Sequence, residues 1–171
     1  LPEEEYFRSE SIRNKVSELT ESAIEEIRQL SRGLVSPHFN ELGLVDHITR
    51  LVNDIRHVAP YSIQFTHDEW SEIELLGKER KLALFRIVQE QIKNIVRHAR
   101  ATQVRISLHC VEDQVHLCIS DDGQGFDAVR TPHGLGLSHI YERSRVCSGE
   151  VSIETAPGQG CLLTVRMPIA V

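Results

Sequence analysis

The sequence predicts an α/β fold, a two-layer sandwich of a mixed sheet with helices on one face, preceded by a long dimerisation-type helix. Three observations carry this. Segments 104–110 and 115–119 are apolar at every second position, as strands of a sheet with one covered face must be. Segment 78–98 repeats its apolar residues at helical spacing and supplies a cover for that face. Segment 12–34 carries an apolar seam whose steps average close to 3.5 residues, the period that suits a partner helix.

Composition sets the outer bounds. With 171 residues, 40% hydrophobic and 26% charged, the chain has room for one globular domain and a short appendage. A formal charge of −6 without any run of lysine or arginine argues against a nucleic-acid surface and against contact with an anionic membrane. No stretch reaches the roughly 18 apolar residues of a membrane span, and the start has no signal-peptide pattern. The chain opens Leu1-Pro2-Glu3 without methionine and is read as a fragment, cytoplasmic itself, of a parent free to be membrane-anchored. Cys110, Cys118, Cys147 and Cys161 show no C-x-x-C spacing and are expected to be buried thiols in a reducing compartment rather than a disulfide or zinc site.

Taken in order, the first element is the seam of Ile12, Val16, Leu19, Ala23, Ile27, Leu30 and Leu34, stepping by four and three with one extra four that resembles a stutter. A surface helix packed on its own domain remains the alternative. Pro37 ends it. A second helix spans about 41–58, with Leu44, Ile48, Leu51, Val52 and Ile55 on one face, and Pro60 closes it. The alternation of 62–66 reads as a strand. The long helix over 78–98 comes next, then the two strands joined at Asp113-Gln114, short enough for a hairpin and so antiparallel. A glycine-rich loop leads to a helix over about 134–147, and 151–153 and 163–167 close the sheet.

The polar face of the long helix is the first candidate for chemistry. At about 100° per residue, Glu90, Asn94 and His98 stack one turn apart, while Phe85, Val88, Ile92, Ile95 and Ala99 lie roughly opposite. A carboxylate and an amide one turn apart offer two hard oxygens, which suit Mg²⁺, and Lys93 and Arg97 flank them with positive charge. Taken alone, this row also fits an ordinary solvated face. Two glycine-bearing segments later in the chain narrow the choice. Asp121-Asp122-Gly123-Gln124-Gly125-Phe126 puts a carboxylate at a strand end with glycines beyond it, so a ligand can approach the main chain. His133-Gly134-Leu135-Gly136-Leu137 then opens a helix, where free amides and the positive end of the dipole face an anion.

The segments 86–99, 121–126 and 134–137, in this order and spacing, resemble the N box and the two glycine boxes of the histidine-kinase ATPase superfamily, which also holds gyrase, MutL and heat-shock chaperone ATPases. The short stretch between Phe126 and Gly134, and the Glu142-Arg143 pair, resemble the branch of bacterial sensor histidine kinases paired with helix-turn-helix response regulators. The resemblance implies that Asp121 accepts from the adenine amino group, with Gly123 and Gly125 in the loop that lets the base approach. It implies Asn94 as a magnesium ligand and Glu90 as the residue that coordinates the metal's water or acts as general base. Lys93, Arg97 and His98 would lie near the phosphates of ATP, and Gly134, Leu135 and Gly136 would hold the β and γ groups through backbone amides.

Residues 23–44 similarly resemble the second helix of the dimerisation and phosphoacceptor hairpin of that branch, so 1–40 is expected to be that helix and 41–171 the ATP-binding catalytic domain. The first helix, with the acceptor histidine, is not in this sequence, and the fragment is expected to bind Mg-ATP without labelling itself. A response regulator and, in the full-length parent, a homodimer are the implied partners. The His67-Asp68 dipeptide is read as a decoy because it follows a strand, and His109 and His116 as solvated. Cys161 departs from the threonine the family usually has after the last glycine, which puts a local turn in doubt. The competing readings are an ATPase or serine kinase of the same superfamily and a non-catalytic nucleotide-binding or dimerisation module.

Overall fold

The structure, a computed structural model of the chain, describes residues 43–57, 59–68, 73–128 and 134–169. The chain divides into two compact units, Leu1–Asn40 and Glu41–Val171. The seam helix expected over 12–34 lies outside the described residues, and so do Trp70 and His133.

Within the second unit, α1 (Leu44–Arg56) buries Leu44, Val45, Ile48 and Val52 on one side, with Leu51 and Ile55 packed at the margin. Asp46 in its first turn and Arg56 in its last oppose the helix dipole. Arg56 Nε also donates to the Ile63 carbonyl at 3.0 Å, tying the helix end to strand β1 (Ser62–His67). Helix α2 (Lys78–Asn94) comes next, burying Ala83, Leu84, Ile87, Val88, Gln91 and Ile92. Its α-helical bonding ends at Asn94, short of the expected His98. The chain widens into a π-helical turn over Ile95–Ala99 and stops at Arg100, which takes the left-handed conformation at φ 53°.

Strands β2 (Gln103–Val111) and β3 (Gln114–Asp121) form the expected hairpin, turning at Glu112-Asp113, one residue earlier than read, with Glu112 at φ 55°. Helix α3 (Leu135–Val146) and strands β4 (Glu150–Thr155) and β5 (Cys161–Pro168) complete the fold. The sheet order is β1-β2-β3-β5-β4; β1 and β2 run parallel and the other pairs antiparallel.

Register explains why one face is covered. Ile106, Ile119 and Leu163 form one row across β2, β3 and β5, and Leu108, Leu117 and Val165 the next, all essentially fully buried. Each such side chain contributes about 1.5–3 kcal/mol by leaving water. The opposite face carries the rows Arg105, Ser120, Leu162 and His109, His116, Arg166, the mostly polar half of the alternation. Helix α2 packs against α1 and α3 and reaches β3, so the helices form the second layer on the apolar face. Among the described residues no helix is long and apolar enough to cross a membrane.

Candidate functional site

The apolar stripe of α2 points into the core, which leaves Glu90, Lys93 and Asn94 on its margin. Lys93 Nζ lies 3.3 Å from Glu90 Oε2. Asn94 Nδ2 donates to Gln91 Oε1 at 3.2 Å. Opposite them is the first turn of α3. Gly134 caps this helix and its carbonyl receives the first helical bond, from the Ser138 amide at 3.2 Å. The amides of Leu135, Gly136 and Leu137 therefore have no partner within the helix. Gly136 sits directly against α2: a Cβ there would stand 2.7 Å from Glu90 Oε1 and 3.0 Å from Asn94 Oδ1. Glycine at this position is what lets the amide-bearing turn approach the two oxygen-bearing side chains. The set fits a phosphate with a divalent cation, since magnesium takes few protein oxygens and the rest from water and phosphate.

The other end of the site is built on β3. Asp121, its last residue, is 9% exposed and faces the helix layer in the row Val104, Asp121, Cys161. One oxygen accepts from the Gly123 amide at 2.9 Å. Burial pushes its carboxyl above the usual range, the neighbouring Asp122 charge adds to this, and the Gly123 amide opposes it. Asp122 has the opposite surroundings. It accepts from Thr102 N at 2.7 Å, Thr102 Oγ1 at 2.6 Å and Gln103 N at 2.8 Å, and these bonds hold its carboxyl down to about 2. Adjacent aspartates thus differ: Asp121 keeps one oxygen without a hydrogen bond among the described residues, and Asp122 fastens the loop to the start of β2.

That loop is held on further sides. The Gln124 amide donates to the Ala99 carbonyl at 2.7 Å and its side chain to the His98 carbonyl at 2.6 Å. Gly158 N donates to the Gln124 carbonyl at 2.6 Å, and Phe126 N to Thr155 Oγ1 at 3.1 Å. A Cβ on Gly123 would collide with the Ala99 carbonyl. Gly125, at φ 57°, is pressed against the carbonyls of Ala156 and Gly160. Both glycines are therefore demanded by backbone packing.

The structure brings Glu90, Lys93, Asn94 and Gly136 together, and gathers Asp121, Gly123 and Gly125 at the other end of the site. Arg97 and His98 lie exposed on the π turn, where His98 contributes its carbonyl to Gln124. Gly134 and the exposed Leu135 begin α3. Sequence reasoning passed over Gln91, although a polar residue in the stripe of Leu84, Ile87, Val88 and Ile92 was a visible signal. The clamp by Asp122 left no such sign, because its partners lie about twenty residues away. The turn before β5 forms despite Cys161: Gln159 N reaches the Ala156 carbonyl at 3.0 Å and the thiol is buried, its pKa raised to about 11 by desolvation.

Three expectations need correction. His109 is not simply solvated: its Nδ1 meets Asp68 Oδ1 at 2.8 Å, while Asp68 Oδ2 accepts from Cys110 N at 2.8 Å, which keeps the Asp68 carboxyl low. This explains the His67-Asp68 dipeptide as a strand-end brace. Of the four cysteines, Cys147 and Cys161 are buried and Cys110 and Cys118 only half-buried, Cys118 because it falls on the polar face of β3. The α-helix of α2 is shorter than read, because its bonding pattern changes to the π turn after Asn94. A shallow cleft of about 450 Å³ along α3 and β4, lined by Ser138, Tyr141, Glu142 and Arg145, shares none of the site residues.

Comparison with known proteins gives this geometry a family. Residues 79–171 match the family described as histidine kinase-, DNA gyrase B-, and HSP90-like ATPase. The chain is 32% identical over 157 residues to the sensor histidine kinase ComP of Bacillus subtilis, covering 88% of this chain and 20% of ComP. It is 27% identical over 152 residues to the histidine-protein kinase/phosphatase DegS of Brevibacillus brevis, 88% of this chain and 39% of DegS. The chain thus spans well under half of these relatives. Among solved structures, the histidine kinase domain of a blue-light activated kinase from Erythrobacter litoralis superposes with a TM-score of 0.64 at 18% identity, over 75% of this chain and 62% of that one. The family match covers more than half of the sequence, so the chain belongs to the histidine kinase-, DNA gyrase B- and HSP90-like ATPases, with residues 79–171 as its ATP-binding module.

Proposed function

We propose that the chain is the catalytic module of a two-component sensor histidine kinase, transferring the γ-phosphoryl group of Mg-ATP to a histidine outside residues 1–171. The observation that carries this is the closeness of Gly136, Glu90 and Asn94 at one end of the site, with the buried Asp121 carboxylate, one oxygen still unbonded among the described residues, at the other. In this reading Asp121 accepts from the adenine amino group and Gly125 lets the base approach the loop. Glu90 and Asn94 present oxygens to the metal. Lys93, Arg97 and His98 lie near the phosphates, and the amides at Gly134, Leu135 and Gly136 hold the β and γ groups. Magnesium, when bound, supplies charge that balances the phosphates. Glu90 is the base nearest that end and would either hold the metal's water or, as general base, take the proton of the attacking group. Phosphoryl transfer asks mainly for alignment and charge balance, which these groups provide.

Residues 1–40 are proposed as the second helix of a dimerisation hairpin, 41–171 as the catalytic domain, and a response regulator as the onward acceptor. Two experiments test the proposal. Calorimetric titration of ADP and a non-hydrolysable ATP analogue into the chain is expected to show binding that magnesium strengthens; no binding to folded protein would favour a non-catalytic module. The full-length dimeric protein, given ATP labelled at the γ position, is expected to form an acid-labile, base-stable phosphoprotein. Hydrolysis or serine labelling alone would overturn the kinase reading in favour of an ATPase or serine kinase.

A further inference from the structure

Between the two oxygen-bearing residues of α2 lies a side chain for which the proposed function has no use. Gln91 is 4% exposed, a carboxamide inside the core. Its Oε1 accepts from Asn94 Nδ2 at 3.2 Å. The same carboxamide lies beside the thiol of Cys161, the first residue of β5. Burying a polar amide without partners costs free energy, so the bond to Asn94 offsets part of the cost of Gln91 in an apolar stripe.

An asparagine amide is nearly symmetric in shape and asymmetric in chemistry. Its oxygen accepts and ligates cations, whereas its NH₂ only donates. A half-turn about the last bond exchanges the two at little steric cost, so a neighbour has to select the useful state. The Gln91 bond selects it here. With Nδ2 engaged toward the core, Asn94 Oδ1 is 3.0 Å from the position a Gly136 Cβ would take and Nδ2 is 3.6 Å from it, while Glu90 Oε1 is 2.7 Å from the same point. Two hard oxygens converge beside the first turn of α3.

We propose that Gln91 is a positioning residue that holds the Asn94 amide with its oxygen toward a divalent cation and its nitrogen toward the core. The inference rests on reading Glu90 and Asn94 as the metal-facing pair. It predicts a separation of effects that mere packing does not. Gln91→Met keeps the length and apolar bulk but offers Asn94 no acceptor; Gln91→Glu keeps a carbonyl acceptor.

The test titrates ADP into the chain with and without Mg²⁺, for wild type and both variants, with thermal melts to confirm folding. In Gln91→Met the metal-free affinity stays within about twofold and the gain conferred by Mg²⁺ falls about 3- to 10-fold, the weight of one buried hydrogen bond. Gln91→Glu restores most of that gain. An equal loss with and without metal, or no loss, overturns the proposal. A wild-type chain with no metal-dependent gain overturns the underlying reading as well, so the two failures are distinguishable. Independently of any variant, NMR of the wild type should show one Asn94 side-chain amide proton protected from exchange, and two freely exchanging protons would also overturn the assignment.

Discussion

Replacing Asp121 by asparagine separates what the site costs from what it does. In the folded chain one Asp121 oxygen accepts from the Gly123 amide at 2.9 Å. An asparagine keeps that bond only by turning its NH₂ to where the second oxygen was, and there a donor meets the adenine amino donor of the proposed complex. If the amide turns over instead, the NH₂ faces the Gly123 N–H, again donor against donor. Either orientation loses a charge-assisted bond of about 1.5–3 kcal/mol and leaves an unsatisfied buried donor worth about 1–3 kcal/mol. The sum corresponds to a loss of roughly 10²- to 10⁴-fold in ADP affinity. Stability should move the other way. Burial raises the Asp121 pKa, so in the window from the ordinary aspartate value up to the raised one the folded state binds more protons than the unfolded state, and stability falls as pH rises through it. At neutral pH the ionised carboxylate is therefore a net cost to folding, and Asp121→Asn should melt higher than wild type at pH 7. Below that window the difference closes. Calorimetric ADP titrations paired with melting curves from about pH 3 to 7, a range that spans the ordinary aspartate value of 3.8, check both arms. A variant that binds ADP within about threefold of wild type, or melts lower at pH 7, would refute the reasoning.

Other substitutions probe the remaining supports. Gly136→Ala puts a methyl 2.7 Å from Glu90 Oε1 and 3.0 Å from Asn94 Oδ1. Overpacking of about 1–3 kcal/mol should weaken Mg-nucleotide binding roughly 5- to 150-fold while leaving metal-free AMP binding intact, as titration of the two ligands will tell. Asp122→Ala removes three hydrogen bonds whose benefit is present above the ordinary aspartate pKa and is lost as pH falls through it to about 2. The variant should therefore lose stability at pH 7 and approach wild type near pH 2, read from denaturant midpoints. The Ser144 hydroxyl is fully buried without a hydrogen-bond partner among the described residues, so Ser144→Ala should stabilise the chain by about 1 kcal/mol, and a lowered melting temperature would contradict the burial argument.

Period and motif made most of the fold legible in the sequence, and the motif residues Glu90, Asn94 and Gly136 stand together. The strands read from alternation because one sheet face is covered and the other is open, and the ends missed by one or two residues are those where pairing extends past the apolar core, as at Asp121. The π turn was not legible. Ile92, Ile95 and Ala99 continue a helical spacing through it, and the change in bonding comes with contacts from a loop more than twenty residues away. The motif singled out Asp121 by its place at the strand end, whereas Asp122, identical in composition, takes its role from Thr102 and Gln103. The same holds for His109, whose partner Asp68 is 41 residues distant. Local pattern reports which face a residue occupies; it does not report which polar groups meet on that face.

The π turn also ties the two ends of the site together. A helix leaves its last carbonyls without partners, and here those of His98 and Ala99 are taken by the side chain and amide of Gln124. The loop that carries Asp121 and Gly125 is therefore the cap of the helix that carries Glu90 and Asn94. Asp122 fixes the same loop to β2, and the bond from Gly158 fixes it to the turn before β5. The spacing between the Asp121 carboxylate and the Glu90 and Asn94 oxygens is then set by one helix and one braced loop, rather than by side chains that must find each other. Preorganisation of this kind lowers the ordering cost of a ligand that touches both ends. It also explains the division of labour among the glycines. Gly123 and Gly125 are required by backbone packed against backbone, and Gly136 by two functional side chains, so substitutions in the first loop should register first in folding and a substitution at Gly136 first in binding.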